Sequence, residues 1–114
     1  NQGDMYWLKA DATDEAGVRH PHVVLQDDVF NHSRVHTVIV CALTSNLKRA
    51  SLPGNVLLEA GEGGLPRQSV VEVAKVESID KAQLGDYIGA LSAARVQQML
   101  RGLRFLQSSF MDRE

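Results

Sequence analysis

Along roughly the first ninety residues, apolar positions come in short bursts separated by polar punctuation, and the period then becomes helical. Met5-Tyr6-Trp7-Leu8 follows Gly3-Asp4 and predicts a first strand. Residues 9–20 are polar, carry Asp11, Asp14, Glu15 and Gly17, and predict a loop. Pro21 can open a second strand, since its missing N–H costs nothing at a first strand position, and His22-Val23-Val24-Leu25-Gln26 continues it. Residues 27–31 predict a turn, with Asp27 or Asp28 as its cap. Thr37-Val38-Ile39-Val40-Cys41-Ala42-Leu43-Thr44 is β-branched and apolar on both faces, which predicts a central strand.

Pro53-Gly54 then marks a turn before the strand Asn55-Val56-Leu57-Leu58, and residues 61–66, with three glycines, predict a loop. Residues 69–76 alternate like a half-buried strand, residues 79–84 predict a helical turn, and residues 87–91 a last short strand. Past Ser92, a plausible N-cap, Val96, Met99, Leu100, Leu103 and Leu106 recur at helical spacing, with Phe110 a turn beyond. Helices do not alternate with strands, so a βαβ fold is disfavoured. The prediction is a mainly β domain with a C-terminal helix (α+β), its strands forming a small, strongly bent antiparallel sheet or partial barrel, as one domain over residues 1–114.

Composition adds boundaries. The 114 residues are 44% apolar and 23% charged, ordinary for a folded domain and long enough for one core. No apolar run approaches the ~20 residues of a membrane helix, and no signal peptide is recognisable. The lone Cys41 cannot form an internal disulfide, which fits a reducing, cytoplasmic setting. The net charge of −2 disfavours a bulk nucleic-acid binder, but charge is segregated along the chain. Residues 29–58 contain no Asp or Glu and hold Arg34, Lys48 and Arg49 with His32 and His36.

Gly61-Glu62-Gly63-Gly64 lacks the Lys-Ser/Thr of a phosphate-binding loop and reads as a turn. Cys41, within an apolar strand, reads as a buried structural thiol. His20 and His22 form a His-x-His pair without a Cys or carboxylate at matching spacing, so neither a metal site nor a cofactor is expected. The remaining candidates flank core strands: Arg19-His20-Pro21 at an entry, and Thr44-Ser45-Asn46-Leu47-Lys48-Arg49 at an exit. Histidine exchanges protons near neutral pH, a hydroxyl and backbone amides can hold a phosphate oxygen, and Arg and Lys neutralise phosphodiester charge. From spacing alone, a loop histidine and a strand-end threonine capping a turn are the favoured reading.

An ordered series of segments resembles the MazF/PemK toxins: Gly3-Asp4-Met5-Tyr6-Trp7, the run from Pro21 to Asn31, and the run from Thr37 to Asn46. Pro53-Gly54-Asn55-Val56, Leu65-Pro66 with Ser69-Val70-Val71, and Ile79-Asp80-Lys81 extend it over nearly the whole chain. The resemblance implies an SH3-like, CcdB/PemK-like barrel with a C-terminal helix, acting as a homodimer. It implies a toxin of a toxin–antitoxin pair that cuts single-stranded RNA, mRNA included, at short sequences, with a cognate antitoxin whose disordered tail covers the RNA groove. The family's catalytic arginine stands just before the proline of the second strand; here that position is His20, with Arg19 one residue earlier. The family's catalytic threonine is matched by Thr44, followed by Ser45-Asn46. An acid of the fifth strand and an arginine before the Ile-Asp pair do not carry over, because Ala74 and Glu77 stand there; Asp80 matches, as a turn residue.

RNA cleavage can proceed without a metal, since the RNA's own 2′-hydroxyl can attack the adjacent phosphorus. The protein must then move protons at the 2′- and 5′-oxygens and stabilise the phosphorane. The first reading gives proton transfer to His20, phosphate binding to Arg19, and a hydrogen bond to a non-bridging oxygen to Thr44. Ser45, Asn46, Lys48 and Arg49 are candidate RNA contacts. In a second reading Arg19 swings into the place of the missing arginine, although neighbours in an extended segment face opposite ways. In a third, the histidine weakens catalysis and leaves an RNA-binding or antitoxin-titrating protein. A different class, the gyrase-poisoning toxins of the same fold, would act without catalysis through the terminal helix. Base choice is expected from the loops 9–20, 46–53 and 61–68, by edge hydrogen bonding more than by stacking.

Overall fold

The structure, a computed structural model, describes residues 1–9, 20–25 and 36–111. Among these, six strands form one antiparallel sheet: β1 (Asp4–Leu8), β2 (Pro21–Val24), β3 (Thr37–Thr44), β4 (Val56–Leu58), β5 (Ser69–Asp80) and β6 (Leu84–Ala90). Their order is β4-β5-β3-β2-β1-β6. One helix, α1 (Ala93–Met111), follows. The predicted turn at 27–31 lies outside the described residues, as do Arg19, His32, Arg34 and the side chain of Phe110.

β3 is central, with β2 on one side and β5 on the other. Its alternation divides the interior in two. Cys41 and Leu43 join Met5, Val23, Leu58, Val71 and Met99 in the main core, against which α1 also lays Val96. Val38 and Val40 face a second cluster with Leu8, Val24 and Ile79. The strand is central as expected, although Ile39 near its start is 39% exposed, where the main core ends short of it.

The N-terminus of α1 is capped as its sequence predicts: Ser92 Oγ accepts from Arg95 N–H at 3.2 Å. Val96 and Met99 are buried, and Leu100, Leu103 and Leu106 pack half-buried behind them. The middle of α1 meets the Pro53-Gly54 turn through two glycines. Gly54 has φ +86°, and a Cβ on Gly102 would collide with the Gly54 carbonyl.

Two expectations need correction. The first is the half-buried alternation over residues 69–76. Ser69–Val73 is buried throughout, residues 74–78 are exposed, and the strand runs on to Asp80 before a 3₁₀ turn, Lys81–Gln83. The cause is an irregular register: between the pairs Cys41↔Val76 and Leu43↔Val71, β3 advances two residues while β5 advances five. The extra residues form a bulge, which resets which side chains face inward. The second is barrel closure. The sheet is open, because β4 and β6 lie at its edges unpaired with each other. The chain after β4 instead passes β6 as a 3₁₀ turn, Glu62–Gly64, so close that a Cβ on Gly89 would overlap the Gly63 carbonyl. Backbone packing through glycine takes the place of a hydrogen-bonded ladder there.

Candidate active site

A cleft of about 160 Å³ is lined by Trp7, His20, Pro21, Ser45, Pro66, Arg67 and Ser69. These come from the end of β1, the entry to β2, the exit of β3 and the approach to β5. Antiparallel pairing brings them together. Trp7 pairs with Pro21, and Thr44, next to Ser45, pairs with Val70, next to Ser69. The ends of all three loops expected to choose bases therefore meet at one place, each anchored on a strand.

His20 is half-buried in this cleft. Its neighbour His22 is held differently. His22 Nδ1 lies 2.9 Å from the His20 carbonyl, which can only accept, so Nδ1 carries the proton. Nε2 faces Glu77 Oε1 at 3.6 Å. Burial pushes the His22 pKa below its ordinary value, against smaller opposing pulls from the His20 carbonyl and the Glu77 charge. The His-x-His pair is thus split by function: His22 fixes the backbone at the strand entry, and His20 is presented to the cleft. Among the described residues, no group of three or more His, Cys, Asp or Glu stands close enough to hold a metal ion.

Thr44 ends β3 half-buried, with Oγ1 accepting from Asn46 N–H at 3.2 Å. Its hydroxyl proton remains available to a phosphate oxygen, but the cleft wall is formed by Ser45 rather than Thr44. Asn46 Oδ1 in turn caps a 3₁₀ turn, Leu47–Ser51, by accepting from Lys48 N–H at 3.2 Å. Lys48 is exposed on that turn. Arg49 belongs to a different space, a cavity of about 450 Å³ beyond the turn, where its Nε lies 3.8 Å from Glu72. Arg19 lies outside the described residues.

Sequence reasoning missed Arg67 and the wall made by Trp7. Arg67 sits in a loop with no spacing signal, and Trp7 reads only as part of the predicted first strand. Arg67 is exposed, and no acid pairs with its side chain among the described residues. The loop carrying it is tied down upstream: Arg95 donates to both Glu62 carboxylate oxygens, at 2.8 and 3.0 Å, which holds the Glu62 carboxyl below its ordinary range. Cys41 is inert, as expected. Its thiol donates to the Glu72 carbonyl at 2.8 Å, and burial, with the Glu72 charge second, pushes its pKa up to about 12. Asp80 is structural too, sharing a capping box with Gln83.

Both the sequence and the fold are similar to those of known proteins. The chain is 38% identical over 106 residues to the endoribonuclease MazF6 of Mycobacterium tuberculosis, covering 91% of this chain and 93% of the relative. It is 34% identical over 90 residues to the endoribonuclease EndoA of Bacillus subtilis, covering 76% of each. The fold is similar to that of a mycobacterial endoribonuclease solved with its cognate antitoxin, with a TM-score of 0.75, 20% identity, and coverage of 94% of this chain and 93% of that one. It is also similar to a MazE–MazF complex from Deinococcus radiodurans, with a TM-score of 0.72, 23% identity, and the same coverage. Residues 1–106 match the family described as the PemK-like, MazF-like toxin of type II toxin–antitoxin systems, and the chain belongs to that family.

Proposed function

We propose that this protein is a sequence-specific endoribonuclease toxin that cuts single-stranded RNA, mRNA included, without a metal cofactor, and that a cognate antitoxin neutralises it. Residues 1–114 act as one toxin domain, as a homodimer, in the cytoplasm. The observation that carries the reading is the convergence of His20, Ser45 and Arg67 on one strand-anchored cleft. It is supported by relatives at 38% and 34% identity that are named endoribonucleases. No helix among the described residues is long and apolar enough to cross a membrane.

The chemistry follows from the groups in reach. The RNA 2′-oxygen bonds to the adjacent phosphorus, its proton is taken up, the bond to the 5′-oxygen breaks, and that oxygen is protonated. The products are a 2′,3′-cyclic phosphate and a 5′-hydroxyl. His20 moves a proton at one of these oxygens. Thr44, with Ser45 beside it, donates to a non-bridging oxygen. Arg67 supplies the cation that the position before Pro21 lacks, binding the phosphate as its negative charge builds. Arg19 is the other cation on the entry segment. Asn46, Lys48 and Arg49 lie along the exit of β3, where Lys48 and Arg49 meet the RNA backbone and Asn46 holds their turn in shape.

The test is purified protein on a mixed single-stranded RNA in EDTA, with the ends mapped. Cuts leaving 5′-hydroxyl and cyclic phosphate ends, lost in His20→Ala, are expected. A 3′-hydroxyl product, or loss of cutting in EDTA, selects a metal-assisted route. No cuts on naked RNA would move the protein to the non-enzymatic, gyrase-poison-like class.

A further inference from the structure

The cavity beyond the Leu47–Ser51 turn is created by the bulge of β5. Residues 72–75 have no ladder partner on β3 or β4. Two of the backbone groups freed there are answered by side chains: Asn55 Oδ1 accepts from Val73 N–H at 3.1 Å, and the Cys41 thiol donates to the Glu72 carbonyl. Asn55 is fixed in turn by donating to the Arg49 carbonyl at 3.0 Å. The bulge is therefore a built feature; Val71 and Val73 both face the main core, so Glu72 between them faces the opposite way and lines the cavity.

We propose that this cavity is a base-reading pocket, in which Glu72 selects an RNA base that carries an amino group. The proposal rests on the ribonuclease reading above. Glu72 is only 5% exposed, yet no hydrogen bond closes on either carboxylate oxygen among the described residues. Its charge is balanced by Lys75 Nζ at 3.3 Å and Arg49 Nε at 3.8 Å, both on exposed side chains. A buried carboxylate with open acceptor capacity calls for an N–H donor. It can accept from the amino groups of cytosine, adenine or guanine, whereas uracil has no amino group and its one N–H, at N3, lies between two carbonyl oxygens that the carboxylate would meet with like charge.

The walls fit the rest of a nucleotide. Phe105 is 54% exposed and Leu52 45% exposed at the mouth, giving apolar surface for the face of a base. Arg49 and Lys75 lie where a flanking phosphate would meet them. The volume, about 450 Å³, falls in the small-ligand range of roughly 300–1,000 Å³. The position fits as well. Ser69 in the cleft and Glu72 in the cavity are three residues apart on β5, within roughly 10 Å at strand rise, and Ser45 and Arg49 are joined by one turn. A strand of RNA held in the cleft can therefore place a neighbouring base in the cavity.

The experiment maps cleavage ends of the wild type, Glu72→Gln and Phe105→Ala on one long RNA of balanced composition. It also measures the binding of each protein to the cognate antitoxin. The wild type is expected to exclude uracil at one fixed position relative to the cut. Glu72→Gln is expected to admit uracil there, losing roughly tenfold or more of its discrimination, because an amide both donates and accepts. Phe105→Ala, on an exposed helix position, is expected to blur the same position, and it carries the test if Glu72→Gln does not fold. Base frequencies identical to wild type in the folded variants overturn the proposal. So does weakened antitoxin binding with unchanged base choice, which would make the cavity a peptide anchor. A wild type that cuts RNA without excluding uracil anywhere overturns the proposal and spares the ribonuclease reading; one that cuts nothing overturns both.

Discussion

The cleft and the cavity flank a single 3₁₀ turn, Leu47–Ser51, but they are built by opposite means. The cleft forms where regular strands end, and its polar groups are carried by loop termini: His20 before β2, Ser45 after β3 and Arg67 before β5. The cavity forms inside a strand, where β5 departs from its ladder and presents a carboxylate. In the first, regular structure holds a reactive group out to a ligand; in the second, an irregularity supplies it. The difference teaches where substitutions are tolerated. A cleft residue can change without disturbing the ladder behind it, whereas Glu72, Asn55 and Cys41 are joined through the backbone of the bulge.

The largest way to break the comparison is His20→Ala. Loss of proton transfer is expected to lower kcat/KM for RNA by about 10²–10⁴-fold, with thermal stability almost unchanged. If the rate is retained, the cleft is not the reacting centre. Arg67→Gln comes next. Removing a phosphate-binding cation is expected to cost roughly 10- to 100-fold in kcat/KM, with Arg67→Lys restoring part of it, as steady-state kinetics on a short RNA would read.

These two positions also mark how far the sequence alone reaches. The sheet and helix were legible because each element carries its own period or cap: β3 as an unbroken β-branched run, α1 as Ser92 followed by Val96, Met99 and Leu103. His20 and Ser45 were legible as chemistry-bearing residues at the ends of such elements. Arg67 was not, since a loop arginine has no periodic neighbour to mark it and only the pairing of Trp7 with Pro21 and Thr44 with Val70 brings its loop to the cleft. Glu72 was hidden for another reason. In an alternating pattern it reads as the solvent-facing member of β5, and it does lie opposite the core-facing Val71 and Val73, but the turn and helix residues that cover that face leave no mark in the order of apolar and polar residues.

On the cavity side, Gly102→Ala presses on α1 where it touches Gly54, beside the cavity-lining Pro53 and Asn55. The added methyl has no room against the Gly54 carbonyl, and overpacking of this kind costs about 1–3 kcal/mol. Differential scanning calorimetry is expected to show Tm lower by several degrees. The cleft residues lie on other segments, so the cleavage rate per folded molecule should fall far less than in His20→Ala. A comparable loss of rate would show that the two sites are not separable. Smaller still is Arg95→Gln, which removes the cation that holds Glu62 and the turn leading to Arg67. The pair is partly exposed, so about 0.5–1 kcal/mol of stability is expected to go, seen as a lower urea midpoint at unchanged slope.

The finest comparison is between two histidines one residue apart. His20 faces the cleft, while His22 is buried, with its proton committed to the His20 carbonyl. Because burial holds the His22 pKa below 6.5, the unfolded chain takes up a proton at a pH where the folded chain still refuses it. Unfolding free energy is therefore expected to fall as the pH drops below about 6.5, and to be regained above it. The carboxyl of Glu62, also held low, contributes a loss of the same sign only in a more acid window. Urea titrations at pH 7.5 and 5.5 separate the two, and His22→Gln should flatten the upper part of the slope. A slope that survives His22→Gln unchanged would mean that the strand histidine is not the group whose protonation the fold opposes.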